Sequence, residues 1–192
     1  MMRLLVVVFV CFSHCQEIFE SGVSDEEADV ILNKHNELRL MVAQGKLSDQ
    51  PKAGNLKRMK YDAKLAEEAQ TIANSCIYAH SKVTDERWKD VGQNLYRRVS
   101  RKKKFGTNWS HAIDKWFQEH RLYKYSPRPK PATAHYTQLI GANTEYVGCG
   151  YSQCQAEGDT KYTHLYVCNY GPFANYDEKY PYKRGKGCEN LC

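Results

Sequence analysis

The sequence lacks an apolar run of the length that spans a bilayer. The run at residues 4–12 is far shorter than the roughly 20 residues of a membrane helix. Arg3 precedes this run and small residues follow it, which is typical of a secretory signal peptide. We therefore predict a signal peptide over residues 1–15, cleaved after Cys15, and a secreted, extracellular protein over residues 16–192 that is not transmembrane.

The sequence also lacks a Cys-x-x-Cys pair and a Gly-x-Ser-x-Gly turn. Without the Cys-x-x-Cys pair a zinc finger is not expected, and without the Gly-x-Ser-x-Gly turn the nucleophile of an α/β hydrolase is not expected. Two of the eight cysteines lie in the predicted signal peptide, so six remain. An even number of cysteines in an oxidising compartment predicts three disulfides and no free thiol, but leaves the connectivity open.

Acidic residues are outnumbered, with 22 Asp and Glu against 28 Lys and Arg, for a net charge of +6. Much of the excess lies in residues 97–104, "RRVSRKKK". Such a run can bind heparin-like glycans, acidic lipid or nucleic acid. We favour a solvated loop, because like charges repel and stay hydrated. No nucleic-acid partner is expected for a secreted chain without a recognised binding module.

Three amphipathic helices are predicted in a single domain. Ser24 and Glu27 form a capping-box pattern at the start of a helix over 24–44. Apolar residues at helical spacing predict a second helix over 62–76 and a third over 107–123. The sequence shows no internal repeat and no sign of a second domain.

The last third of the chain changes its periodicity. Residues 145–154 and 162–170 alternate in the manner of strands. The three prolines of residues 126–134 predict an extended linker. A short helix is predicted after it, over 135–142. Residues 81–106 read as polar and basic, without a strand prediction.

Four motifs occur in the order found in one known family. They are "HNELR" (35–39), "GQNLY" (92–96), "HYTQLI" (135–140) and "LYVCNYGPFANY" (165–176). On these motifs the chain resembles the CAP superfamily of cysteine-rich secretory proteins, antigen 5 and pathogenesis-related 1 proteins. It is most similar in character to single-domain invertebrate venom allergen-like proteins, and the resemblance covers about residues 24–180.

The resemblance implies an α+β fold, an α-β-α sandwich with a three-stranded antiparallel sheet between helical layers. It implies one CAP domain over 16–192, with a disulfide-closed tail at 177–192. By position in the family, the three disulfides are expected to be Cys76–Cys154, Cys149–Cys168 and Cys188–Cys192. Two departures stand near the motifs: Gly141 replaces the usual tryptophan, and Ala174 replaces a frequent glycine.

The resemblance also carries over a central cleft formed by His80, Gln93, Glu119 and His135. Two neutral imidazoles, His80 and His135, can ligate a divalent metal, and we expect weak zinc or magnesium binding with no required cofactor. Gln93 stands where the family commonly has a glutamate, which weakens both metal binding and acid–base catalysis. Plain hydrogen bonding among the four side chains is the equally weighted alternative.

We expect a secreted protein that binds a fatty acid or sterol between helices 24–44 and 107–123, as some family members do. One alternative is an immunomodulatory interaction protein that contacts a host surface protein or glycosaminoglycan through 97–104. A metal-dependent hydrolase using the cleft histidines and Glu119 is least favoured, so we do not predict an enzyme. Asn108 lies in an Asn-Trp-Ser sequon and is a predicted glycosylation site.

Overall fold

The computed structural model describes residues 17–127, 130–155, 159–174 and 180–192. The predicted signal peptide lies outside the described residues, as does the start of the predicted tail. The strands are β1 (Glu17–Ser21), β2 (Lys60–Tyr61), β3 (Gly92–Ser100), β4 (Tyr146–Gln155) and β5 (Tyr162–Gly171). The α-helices are α1 (Asp25–Ala43), α2 (Ala63–Asn74), α3 (Trp109–Phe117) and α4 (Ala134–Leu139).

Three long antiparallel strands, β3, β5 and β4, form the centre of the sheet. The full order is β1-β4-β5-β3, with β2 pairing in parallel to β4. The predicted α+β class is confirmed, and the two short strands extend the sheet beyond the three expected. Ahead of α1, β1 pairs antiparallel with β4.

The sequence did not reveal β3, which lies inside the polar segment 81–106. Its outer half, residues 97–99, is exposed because β3 is an edge strand and only its first half packs into the core. Edge strands commonly carry charged residues, so the alternation that marks a half-buried strand is lost there. The expectation of a solvated loop over 97–104 is therefore wrong for residues 97–100.

The two faces of the sheet pack against different helices. Leu165 and Val167 of β5 join a small core with α2, whereas Tyr166 and Cys168 join the large core that contains α1, α3 and α4. This alternation agrees with the strand prediction. The backbone of α2 comes so close to β4 at Gly148 that a Cβ there would overlap it. Helix α2 therefore lies directly on the strands.

Helix α1 begins and ends as its sequence predicts. Ser24 and Glu27 form the reciprocal capping box, and Gly45 follows the helix with φ of +69°. Within α1, the fully buried guanidinium of Arg39 donates to four backbone carbonyls, those of Lys57, Leu139, Gly141 and Thr144. Arg39 thus ties α1 to the segment before β2 and to the end of α4 with the residues that follow it.

The third helix is shorter than predicted. Asn108 caps α3 by accepting a hydrogen bond from the His111 N–H at 3.0 Å, and residues 118–121 continue as a 3₁₀ turn. The apolar stripe that predicted 107–123 does not distinguish an α-helix from the 3₁₀ turns that often end one.

The predicted extended linker is also partly helical. Pro131–Thr133 forms a 3₁₀ turn that leads into α4. Proline is tolerated there because the first helical position needs no N–H donor. Helix α4 then ends earlier than the prediction of 135–142.

Three disulfides are present, in agreement with the predicted fold class. They join the end of α2 to β4 (Cys76–Cys154), β4 to β5 (Cys149–Cys168) and two residues of the tail (Cys188–Cys192). The tail is anchored by hydrogen bonds from Cys192 N to Leu56 O at 2.8 Å and from Arg58 N to Cys192 O at 3.1 Å. In the described chain, no disulfide reaches α1 or α3.

The two sequence departures touch each other. A Cβ built on Gly141 would lie 2.5 Å from the Cβ of Ala174. Position 141 therefore has no room for a side chain while position 174 carries a methyl group. Among the described residues, no helix has the length and apolar character needed to cross a membrane.

Candidate functional site

His80 is paired with Gln93 at the start of the edge strand β3. The Nδ1 of His80 lies 3.0 Å from Gln93 Oε1, which also accepts from the backbone N–H of Ser81 at 3.1 Å. The other end of the amide, Nε2, donates to Asn169 Oδ1 at 3.0 Å. These partners fix the amide orientation, so the proton of the His80 ring is on Nδ1.

His135 is paired with Glu119. The 3₁₀ turn after α3 presents Glu119, whose Oε1 lies 2.7 Å from the Nδ1 of His135. Its other oxygen accepts from the Tyr136 N–H at 3.1 Å, at the first turn of α4. The carboxylate therefore orients the imidazole and holds its proton on Nδ1. Trp116 stacks on the ring at a centroid distance of 6.4 Å.

Strand β3 holds both pairs through consecutive residues. Gln93 bonds His80, and the side-chain amide of Asn94 donates to the backbone carbonyl of His135 at 3.1 Å. The structure therefore arranges the four cleft residues as two hydrogen-bonded pairs attached to one strand, His80 with Gln93 and His135 with Glu119.

A buried histidine, His35, shares a tyrosine hydroxyl with Asn94 of β3. His35 bonds the Ile31 carbonyl at 2.7 Å through Nδ1, as expected for a buried helix residue, and Tyr170 Oη at 2.9 Å through Nε2. The side-chain amide of Asn94 lies 3.4 Å from the same hydroxyl. Burial lowers the pKa of His35 to about 4, so this ring is neutral at physiological pH. His35 is therefore structural.

Sequence reasoning missed Asn169 and Ser81 as partners of Gln93. Asn169 faces Gln93 directly in the β3–β5 register. The signal for it was present in the motif "VCNYG", but the pairing becomes visible only when the two strands are aligned.

The two pairs leave equivalent nitrogen atoms available. Both rings use Nδ1 for their protein partner, and among the described residues neither Nε2 makes a hydrogen bond. A metal-ligating histidine commonly has this arrangement, with one nitrogen held by a carboxylate or carbonyl and the other directed to the ion. The donor set is nevertheless small, because no three His, Cys, Asp or Glu side chains in the described residues are grouped to hold a metal.

The match to known proteins agrees with this architecture. Residues 32–170 match CAP, the cysteine-rich secretory protein family, and the chain belongs to that family. It is 33% identical over 182 residues to salivary antigen-5 of Triatoma infestans, covering 85% of this chain and 75% of that protein.

Two other relatives are longer than this chain. It is 38% identical over 165 residues to cysteine-rich secretory protein 3 of Equus caballus, covering 82% of this chain and 62% of that one. It is 37% identical over 183 residues to venom allergen 5 of Tityus serrulatus, covering 88% and 42%. The chain thus spans less than two thirds of the length of these two relatives.

Solved structures of similar proteins share the fold. The crystal structure of Na-ASP-1 aligns with a TM-score of 0.73 and 30% identity, over 89% of this chain and 45% of that one. The crystal structure of NaASP2 with Zn²⁺ aligns with a TM-score of 0.69 and 26% identity, over 88% and 91%. The resemblance to venom allergen-like proteins is confirmed.

Proposed function

We propose that this CAP protein is an extracellular binding protein, not an enzyme, and that it takes up a fatty acid or sterol between α1 and α3. The observation that supports this proposal is the seam between these helices. Their buried apolar side chains belong to one continuous core, among them Ile31 and Leu38 on α1 and Ile113 and Trp116 on α3. A ligand that separates the helices would meet these apolar side chains.

No disulfide of the described chain crosses the seam. The disulfides constrain α2, β4, β5 and the tail, whereas α1 is held to α3 and the residues just before it by packing, by the ion pair between Lys34 and Asp114 (3.1 Å) and by the hydrogen bond from the Thr107 hydroxyl to Glu27. The Asp114 side chain is about half exposed, and such an ion pair contributes at most about 1 kcal/mol. The helices can therefore part without breaking a covalent bond.

Uptake of a fluorescent fatty acid by the purified protein tests the proposal, with cholesterol as a second probe. Asp114→Asn removes the ion pair that crosses the seam, while Lys34 keeps its other partner, Glu37, at 3.5 Å on the same helix. The helices should then part more easily, so we expect faster uptake. Glu145→Gln is the matched control, because it removes another lysine–carboxylate pair, that with Lys57, away from the seam.

The expected result is saturable binding with a higher association rate in Asp114→Asn alone. A parent protein that binds neither probe would refute the lipid proposal. Equal rates in Asp114→Asn and Glu145→Gln would place the ligand elsewhere.

We also propose weak, exchangeable divalent-metal binding through Nε2 of His80 and His135. The shared Nδ1–H pairing of the two rings supports it, together with the Zn²⁺ named in the structure of NaASP2. Each ring is already oriented through Nδ1 by a protein partner, which supports a site that can exchange its metal.

Calorimetric titration with zinc and magnesium tests this second proposal. His80→Ala and His135→Ala are each expected to abolish zinc binding. His111→Ala is the control, since that ring is exposed and, among the described residues, its side chain bonds the Tyr96 hydroxyl at 3.2 Å and packs against the Tyr96 ring. Zinc binding that survives both cleft substitutions would refute the assignment.

Two processing events complete the proposal. Secretion from a eukaryotic host should yield an N-terminus at Gln16, which N-terminal sequencing would show. Asn108 caps α3 with Oδ1, and its Nδ2 makes no hydrogen bond with the described residues, so a glycan there would leave the cap intact. A mass shift on enzymatic deglycosylation, lost in Ser110→Ala, would demonstrate the glycan.

A further inference from the structure

The second half of the basic run forms an ordered segment that crosses the end of the sheet. We call residues 101–106 the strap. Its carbonyls are held by the sheet: Lys102 O accepts from Ser100 Oγ at 2.8 Å, and Lys104 O accepts from Gln153 Nε2 at 2.7 Å. The side chains, not the backbone, are therefore presented to solvent.

Two acidic residues of the described chain anchor the strap and the residue after it, and neither pairs with the strap cations. Both oxygens of Glu20 accept from the N–H of Gly106, at 2.9 and 3.0 Å. Glu27 accepts from the hydroxyl of Thr107 just beyond the strap. These carboxylates bind a backbone N–H and a hydroxyl, and among the described residues they form no ion pair with the cations of the strap.

The strap cations are exposed and unpaired. Arg98 and residues 101–104 are exposed, and in the described part of the chain none of them lies within 4.0 Å of a carboxylate. The ammonium of Lys103 lies over the ring of Phe19 at 3.7 Å and near that of Phe105 at 5.2 Å. The surface thus combines a dense positive charge with aromatic rings.

Phe105 distinguishes between the possible partners of this surface. Its side chain is 68% exposed immediately after four consecutive basic residues. A sulfated glycan would recognise the cations but would gain little from an exposed phenyl ring. At a bilayer surface, basic residues meet anionic headgroups while an aromatic ring is buried at the headgroup boundary.

We propose that the strap docks on an anionic phospholipid surface, with Phe105 entering the interface and the side chains of Arg98 and residues 101–104 contacting headgroup phosphates. The anchored backbone reduces the ordering cost of binding, because the strap is already in place. This docking is independent of the ligand seam and of the metal site. Of the three partners that the composition of the basic run allows, namely glycan, acidic lipid and nucleic acid, the proposal selects acidic lipid.

Co-sedimentation of the full chain with phosphatidylcholine vesicles, with and without phosphatidylserine, tests the proposal. We expect binding only to vesicles with phosphatidylserine, and weaker binding at high salt. Lys102→Gln with Lys104→Gln keeps the backbone contacts and should weaken binding about fivefold per lysine. Lys46→Gln with Lys186→Gln removes the same charge from exposed positions outside the strap and should have little effect.

A second pair of variants isolates the aromatic contribution. Phe105→Ser should weaken vesicle binding severalfold, whereas Leu122→Ser, at a residue equally exposed at 68%, should not. Heparin retention of the same variants provides the competing outcome. Heparin binding that depends on the lysines, with no vesicle binding or with vesicle binding unchanged in Phe105→Ser, would overturn the proposal in favour of a glycan surface.

Discussion

Replacing Gln93 by glutamate perturbs the cleft at the residue that joins His80 to the sheet. The amide of Gln93 donates to Asn169 Oδ1 at 3.0 Å and accepts from His80 and Ser81. A carboxylate can still accept, but its second oxygen would face the oxygen of Asn169 with no proton between them. Asn169 cannot simply rotate its amide, because its own Nδ2 donates to Leu65 O at 3.3 Å.

We expect Gln93→Glu to lower the free energy of unfolding by about 1–3 kcal/mol at neutral pH, the cost of leaving a partly buried polar atom unpaired. The same change should tighten zinc binding about tenfold or more, because a carboxylate on Nδ1–H makes the imidazole a stronger ligand. Urea unfolding measures the first effect, and competition with a zinc-sensitive dye measures the second.

Two further variants separate the contributions. Gln93→Met removes the amide without adding charge, so it should lose stability and gain no zinc affinity. In Gln93→Glu with His80→Ala, the gain in zinc affinity should disappear. If Gln93→Glu left both stability and zinc affinity unchanged, the role assigned to the Gln93 amide would be refuted.

Three other predictions concern the stability of the fold. Arg87 donates to the carboxylates of Asp62 and Asp85 and holds the pKa of both below the usual range. The free energy of unfolding should therefore fall as the pH drops below about 4, and it should fall less steeply in Arg87→Met. Equal pH profiles of the parent and the variant in urea unfolding would contradict this. Arg39→Met should cost about 3–5 kcal/mol, because it leaves buried carbonyls without donors, and an unchanged urea midpoint would refute that role. Gly150→Ala should cost about 1–3 kcal/mol, since its Cβ would overlap the backbone of α2, and a thermal midpoint equal to that of the parent would contradict this.

Local patterns predicted the elements whose signals are local. The capping box at Ser24 and Glu27 placed α1 correctly because both partners lie within one turn. The alternating pattern of residues 145–154 and 162–170 predicted β4 and β5, which are buried on both faces along most of their length. Strand β3 was not predicted, because its exposed half shows no alternation of apolar and polar residues and its position depends on pairing with β5.

The candidate site could be predicted only in part. Its four residues came from the family resemblance, which indicated that they share a cleft but not how they pair. The His80–Gln93 and His135–Glu119 pairs depend on side-chain geometry across separate elements. Asn169 is 76 positions from Gln93, so no local pattern could associate them.

The contact between Gly141 and Ala174 makes these two positions dependent on each other in evolution. A large residue at 141 needs the space of the Ala174 methyl group, so its introduction alone into this chain would displace the segment that carries Ala174. Ala174→Gly would remove the closest of these contacts, although the Cα of residue 174 and Thr144 Oγ1 would still lie 3.1 and 3.2 Å from a Cβ at position 141. A path from this chain to the tryptophan-bearing form is therefore less damaging when Ala174 changes before Gly141.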